Sequence, residues 1–124
     1  MKRTIFIVLL LLLTGCSSVP ETNSKLVTGN PTPEDFLQYE DADIFQLNGV
    51  VYSNADDVEW VLKTNYTVGD EIGEITKQSD EARSFSNGTA NVLPVGTKIY
   101  DTDAPFLIVV INDKEIPYLP MIEG

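Results

Sequence analysis

Carboxylates are the most abundant reactive side chains in this sequence, which has 19 Asp and Glu and no histidine. Two motifs, Asp41-x-Asp43 and Asp101-x-Asp103, each place two carboxylates two residues apart. On an extended segment, residues at this spacing point to the same side. Because Ca²⁺ prefers oxygen ligands, these four aspartates are candidate metal ligands. Neither motif continues into an EF-hand loop, however, and the alternative that we favour is solvated loop acids.

Other kinds of catalytic and metal chemistry lack the residues that they need. The absence of histidine excludes His-based acid–base catalysis, and a single cysteine, Cys16, leaves no zinc site of the Cys/His kind. A carboxylate acid–base pair of the glycosidase type is conceivable, but a domain of this size has little room for a sugar cleft. We therefore predict no enzymatic activity, no cofactor and no catalytic residue.

Cys16 stands after an apolar run that begins close to two basic residues. Lys2 and Arg3 precede the unbroken apolar stretch 5–13, and small residues follow as far as Ser18. This order is typical of a secretory signal peptide. The run is too short for a transmembrane helix, which needs roughly 20 apolar residues to cross a bilayer. Residues 1–15 are therefore predicted to be a signal peptide.

The segment Leu13-Thr14-Gly15-Cys16 resembles the lipobox of bacterial lipoproteins. The resemblance implies cleavage before Cys16 and a diacylglyceryl group on its sulfur, with palmitate-type acyl chains as the anchor. It places the protein on the extracytoplasmic face of the cell membrane. The alternative is an ordinary secreted protein with a cysteine near its cleavage site. Lipid attachment is the better interpretation, because a lone thiol has no disulfide partner in an oxidising compartment.

The chain that would remain after cleavage is strongly acidic. Without Lys2 and Arg3, six Lys and Arg stand against 19 Asp and Glu, a formal net charge of −13. Proteins bind phosphate backbones through Lys and Arg, so nucleic acid is excluded as a partner. Anionic headgroups would repel the same domain. The predicted contact with the membrane is therefore the lipid on Cys16 alone.

The predicted organisation is a tether followed by one small domain. Residues 16–34 carry the lipidated cysteine and a stretch rich in Ser, Thr, Asn and Pro, which has too few large apolar residues for a core. Residues 35–124 form the single globular domain. Near this boundary, Pro33 to Leu37 could open one short helical turn, with acidic residues at its positive end.

The apolar pattern of residues 35–124 predicts an α+β fold, with an antiparallel sheet of about five strands and one short helix. The alternative is a small all-β barrel. Asn54 is the candidate N-cap of the helix, which follows from Ala55 to Leu62, and 77–91 is predicted to be a long exposed loop or hairpin excursion. The predicted strands are 44–52 with a bend at Gly49, 68–76, 97–100, the central strand 106–111, and 115–119, which Pro117 assigns to a sheet edge.

Two further segments, Tyr66 to Ile75 and Asn91 to Tyr100, are similar to small uncharacterised lipoproteins of Bacillus-like bacteria. That group implies one domain and adds no catalytic residues. We expect a membrane-anchored, non-enzymatic domain that binds an envelope protein or a cell-wall component. The alternatives are a small-ligand or Ca²⁺ sensor that uses the acidic motifs, and a carboxylate-based hydrolase.

Overall fold

A computed structural model describes residues 30–122. Cys16, the signal peptide and most of the predicted tether lie outside these residues. The described chain begins with a short helix, α1 (Pro33–Leu37), as predicted. Pro33 occupies its first turn, where a missing N–H costs nothing. The Asp35 side chain closes the turn by accepting a hydrogen bond from the Thr32 N–H, at 2.8 Å.

Eight strands make up one sheet, which contains most of the regular structure of residues 30–122. The strands are β1 (Ile44–Leu47), β2 (Val50–Asn54), β3 (Val68–Glu74), β4 (Lys77–Gln78), β5 (Thr89–Ala90), β6 (Lys98–Thr102), β7 (Leu107–Ile111) and β8 (Lys114–Pro120). In spatial order they run β3-β6-β7-β8-β2-β1-β5-β4, and every pair is antiparallel except β4 with β5. A second helix, α2 (Glu59–Leu62), and a 3-10 turn (Ala82–Ser84) lie in the connections.

The sheet curls into a half-barrel because its two end strands are consecutive in the chain. Only Ile75 and Thr76 separate β3 from β4. The Ile75 N–H donates to Thr97 O at 2.8 Å, toward the β6 side, whereas the Thr76 N–H donates to Gly88 O at 2.8 Å, toward the β5 side. These two residues therefore bring opposite ends of the sheet close together.

The predicted α+β fold with five strands is wrong, since the two helices span only five and four residues beside eight strands. The alternative, a small all-β barrel, is closer in strand content, but the sheet is a half-barrel in which ladder pairing stops at β3 and β4. The stretch 77–91 is not simply an exposed loop: it contains β4 and β5, two strands too short to show a period. Asn48 and Gly49 form a two-residue turn, which splits the predicted strand 44–52 into β1 and β2.

The predicted helix over 55–62 shrinks to one turn because the Ala55 backbone, just past the end of β2, is still hydrogen-bonded to β8. The Ala55 N–H donates to Pro117 O at 2.9 Å. Asn54 is not a helix cap but the last residue of β2, and its side-chain oxygen accepts the Asp56 N–H at 2.7 Å. Val58 occupies the N-cap position of α2 instead.

Pro117 does not mark a sheet edge, contrary to prediction, because β8 lies between β7 and β2. Pro117 lies opposite Ala55, so any other residue at position 117 would donate its N–H to the Ala55 carbonyl. That carbonyl accepts from the Val58 N–H instead, at 3.1 Å. The sheet thus tolerates proline at an interior strand, because the turn that leads into α2 satisfies the unused acceptor.

Side chains on the two faces of the sheet form two separate apolar clusters. Strand alternation sends Leu107 and Val109 to the concave face and Ile108 to the convex face. The larger cluster fills the concave side: Phe45, Leu47, Ile75, Ala90, Leu93, Ile99, Leu107, Val109 and Tyr118. The smaller cluster packs the 55–68 crossover onto the convex side: Ala55, Val61, Phe106 and Ile108.

Candidate binding site

Four adjacent strands open the concave face of the half-barrel at one end. Tyr52 pairs with Pro120, and Leu107 pairs with Tyr118, which is two residues before Pro120. Asp101 lies two residues beyond Ile99, a concave-face residue, and therefore points to the same side. Tyr52, Asp101, Leu107 and Pro120 thus come from β2, β6, β7 and β8 to one concave end.

We call this end the mouth and define it by the residues that line one cavity of about 230 Å³. Most of these residues are apolar, and two of them, Phe106 and Leu107, are buried. Mouths of barrels are common ligand sites, because concave apolar walls there meet a few polar groups. The lining residues are Tyr52, Asp101, Ala104, Pro105, Phe106, Leu107 and Pro120.

Tyr52 is held rigidly in the mouth by aromatic stacking. Its ring lies almost parallel to the buried ring of Phe45, with centroids 5.0 Å apart and an interplanar angle of 13°. The hydroxyl has no hydrogen-bond partner among residues 30–122. Burial raises the pKa of Tyr52, and the nearby carboxylate of Asp101 raises it further. Tyr52 therefore offers a fixed, neutral hydroxyl to the cavity.

Asp101 is the only carboxylate that lines the mouth. One of its oxygens accepts a hydrogen bond from the Thr102 N–H at 2.8 Å. Within the described chain it has no ion pair with a basic side chain. The Asp101 carboxylate therefore lies beside apolar walls, and it can accept further hydrogen bonds for which no described residue supplies the donor.

The predicted pair Asp101 and Asp103 does not act together. Asp103 lies just past the end of β6, where its Oδ1 accepts the Thr67 N–H at 2.8 Å. That hydrogen bond holds the segment that leads into β3, whereas the Asp101 side chain faces the mouth. Spacing in the sequence could not separate the two roles, because strand β6 ends between them.

The other predicted pair, Asp41 and Asp43, lines a separate depression together with Asp57. Asp43 serves the fold: its Oδ1 accepts the Tyr118 hydroxyl at 2.7 Å and its Oδ2 accepts the Asn54 side-chain amide at 2.9 Å. Between residues 30 and 122, no group of three or more acidic side chains is arranged to hold a metal ion.

Tyr118 is the partner of Asp43 that sequence reasoning missed. It is fully buried, and its hydroxyl reaches Asp43 across 75 positions of the chain. Burial and the Asp43 carboxylate both raise the pKa of Tyr118 well above its usual range. Nothing local marks this contact, because it depends on β8 crossing beside the end of β2.

Trp60 is 50% exposed on α2. Its neighbour Val61 is the α2 side chain that enters the convex cluster.

No protein-family model, curated protein or solved structure matches this chain. Among the described residues, no helix has the length and apolar character to cross a bilayer. A functional proposal therefore rests on the side chains of the mouth and on the lipobox-like segment Leu13-Thr14-Gly15-Cys16.

Proposed function

We propose that this protein is an extracytoplasmic, lipid-anchored and non-enzymatic binding module, which holds an envelope protein or a cell-wall component at its mouth. The observation that carries the proposal is the mouth itself. It is a preformed concave cavity with two polar groups, the Asp101 carboxylate and the Tyr52 hydroxyl, that the fold leaves available. A site that is already shaped before binding loses little conformational freedom when a partner arrives.

Anchoring is supported by the lipobox-like Leu13-Thr14-Gly15-Cys16. Two acyl chains on Cys16 would hold the protein at the membrane, since each buried CH₂ contributes about 0.8 kcal/mol and one chain alone binds only marginally. The polar stretch within residues 16–34 would act as the tether. We propose that the domain is thereby kept at the surface where its partner is found.

A binding role fits the mouth better than hydrolysis by carboxylates. Acid–base hydrolysis needs two carboxyl groups that face each other across the substrate. The mouth is lined by one carboxylate, Asp101. In the other depression, both oxygens of Asp43 already accept hydrogen bonds from the fold. The mouth therefore does not supply the pair of carboxyl groups that such hydrolysis needs.

Co-purification from the native host tests this proposal. The anchored protein is extracted from membranes in mild detergent, and bound proteins and wall fragments are quantified. A Pro105→Trp variant fills the mouth with a bulky ring, because Pro105 is exposed and lines the cavity. The matched control is Pro94→Trp, at an exposed proline outside the mouth lining.

We expect a discrete partner with the wild type and Pro94→Trp, and its loss with Pro105→Trp. The same partner yield from all three proteins, or no partner from any, would contradict a binding role for the mouth. Thermal unfolding of each variant checks that the fold is retained.

A further inference from the structure

We infer that the mouth accepts one basic side chain, lysine or arginine, from a protein partner. This inference rests on the proposed binding function and specifies its ligand class. Three properties of the mouth lead to it: the size of the cavity, the apolar and polar residues that line it, and the charge of the domain around it.

The cavity is the size of a single side chain. Its volume of about 230 Å³ is below the roughly 300–1,000 Å³ of sites that enclose drug-sized molecules. It exceeds the roughly 150 Å³ that accommodates benzene. A partner would therefore insert one long side chain, while the rest of its surface stays outside the mouth.

The mouth combines apolar walls with one exposed carboxylate, as a basic side chain requires. Pro105, Phe106, Leu107 and Pro120 provide apolar surface for a chain of methylene groups. Asp101 is exposed and so lies at the rim, where its carboxylate can accept hydrogen bonds from a cationic head. Lysine and arginine bury their aliphatic stems along apolar surface and keep the charged group at the edge in just this manner.

The Tyr52 hydroxyl adds a second acceptor for the same head group. Its ring is fixed against Phe45, and its oxygen has no partner within the described part of the chain. A primary ammonium carries three donors, and a guanidinium carries five, so either can bind the carboxylate and the phenol oxygen together. A purely aliphatic or aromatic partner would offer a donor to neither acceptor.

The charge of the domain favours a cation and disfavours an anion. The chain without its first two basic residues carries a formal net charge of −13. Two of its basic side chains are engaged elsewhere, Lys98 with Glu74 at 2.8 Å and Lys63 with Glu59 at 3.0 Å. None of the mouth-lining residues is basic. An acidic field of this kind concentrates cationic segments and speeds their encounter.

The test compares two peptides that differ only in the charge of one side chain. The probes are acetyl-Gly-Ser-Lys-Ser-Gly-amide and the same peptide with Nε-acetyllysine. Each is titrated into the full chain in detergent micelles, with isotope-labelled tyrosine rings observed by NMR. We expect the lysine peptide to shift the Tyr52 signals and leave those of Tyr39 unchanged, and the acetylated peptide to bind about tenfold more weakly.

Two charge-removing variants separate the mouth from the general acidic field. Asp101→Asn removes the rim carboxylate, and Asp80→Asn removes an equal charge at an exposed residue outside the mouth. We expect about a tenfold loss of lysine-peptide affinity in Asp101→Asn and less than about a twofold loss in Asp80→Asn. The acetylated peptide should bind both variants equally.

Equal binding of the two peptides, or equal losses in the two variants, would overturn the inference. So would a shift of Tyr39 rather than Tyr52. If the two peptides bind equally, or if they shift Tyr39 rather than Tyr52, while Pro105→Trp still abolishes co-purification, the mouth binds a partner of other chemistry. The proposed function then stands. If Pro105→Trp has no effect on co-purification, the proposed function itself fails.

Discussion

Asp43 joins three parts of the chain at the level of single residues. Its two oxygens accept hydrogen bonds from Tyr118 in β8 and from Asn54 at the end of β2, while Asp43 itself immediately precedes β1. Hydrogen bonds to a charged acceptor are worth about 1.5–3 kcal/mol each, more than neutral ones. Asp43 is therefore a stabilising residue, although its spacing from Asp41 had suggested a cation ligand.

Replacing Tyr118 with phenylalanine should reduce the free energy of unfolding by about 1–2 kcal/mol at neutral pH, because the Asp43 oxygen loses its donor. The pH dependence should change as well. The pKa of Tyr118 is raised in the folded protein, so its contribution to stability is complete below the unfolded value of about 10. As the pH rises above that value, the unfolded tyrosine releases its proton while the folded one keeps it.

Stability should therefore fall above about pH 10, with a limiting slope of about 1.4 kcal/mol per pH unit for one tyrosine. Tyr52 and Tyr66, whose pKa values are also raised, act in the same direction. In Tyr118→Phe the decline should be shallower. Urea unfolding between about pH 9 and about pH 11 measures it, with the exposed Tyr39→Phe as control. Parallel pH profiles for wild type and Tyr118→Phe would refute this role.

At the level of the elements, Gly88 is the critical residue, because it lies where the two ends of the sheet approach each other. Its N–H donates to Gln46 O, and its carbonyl accepts from Thr76. Its φ is +91°, and an added Cβ would lie 2.7 Å from the Thr76 side-chain oxygen. Gly96 has a similar φ of +98°, but an added Cβ there would meet nothing within 4 Å. Comparing alanine substitutions at the two glycines therefore separates the cost of a positive φ from the cost of contact with Thr76.

Gly96→Ala should destabilise the protein by about 1–2 kcal/mol through its backbone conformation alone. Gly88→Ala should cost about 1 kcal/mol more, because Thr76, which is β-branched, must leave its rotamer. Adding Thr76→Ala should remove that extra cost at Gly88 and change nothing at Gly96. Chemical denaturation of this double-mutant cycle tests the contact, and equal costs at the two glycines in both backgrounds would disprove it.

Local signals predicted the elements whose determinants are local. Pro33 and its acidic neighbours indicated α1, and the run 106–111 contains the interior strand β7. The strands β4 and β5 were missed because two residues carry no period and their pairing is set from a distance. The helix over 55–62 was overestimated because the Ala55 N–H binds Pro117, 62 positions further along the chain.

The candidate site was predictable only in part, for the same reason. Asp101 was identified as a candidate side chain, but its partners in the mouth come from β2, β7 and β8. Tyr52 has no distinguishing feature in the sequence. Its role follows from stacking on Phe45 and from its register opposite Pro120. Only the curl of the sheet brings these residues to one concave end.

At the scale of the whole molecule, we propose that Cys16 sets the location of the protein. Cys16→Ala should prevent lipid labelling and leave a precursor that retains its signal peptide. Metabolic labelling with a fatty acid, followed by membrane fractionation and mass determination, measures both effects. A Cys16→Ala protein that is cleaved normally and stays with the membrane would contradict lipid anchoring. Ser18→Ala, near the same cleavage site, serves as the control and should be processed like the wild type.

The central claim is that an anchored domain receives a partner at its mouth, beside Asp101. The most direct measurement places a photoreactive amino acid at position 105 of the full-length protein in living cells of the native host. We expect one discrete crosslinked species, which weakens strongly in an Asp101→Asn background and is absent when the probe stands at position 94. No crosslinked species at position 105, or the same species from both positions, would contradict the claim.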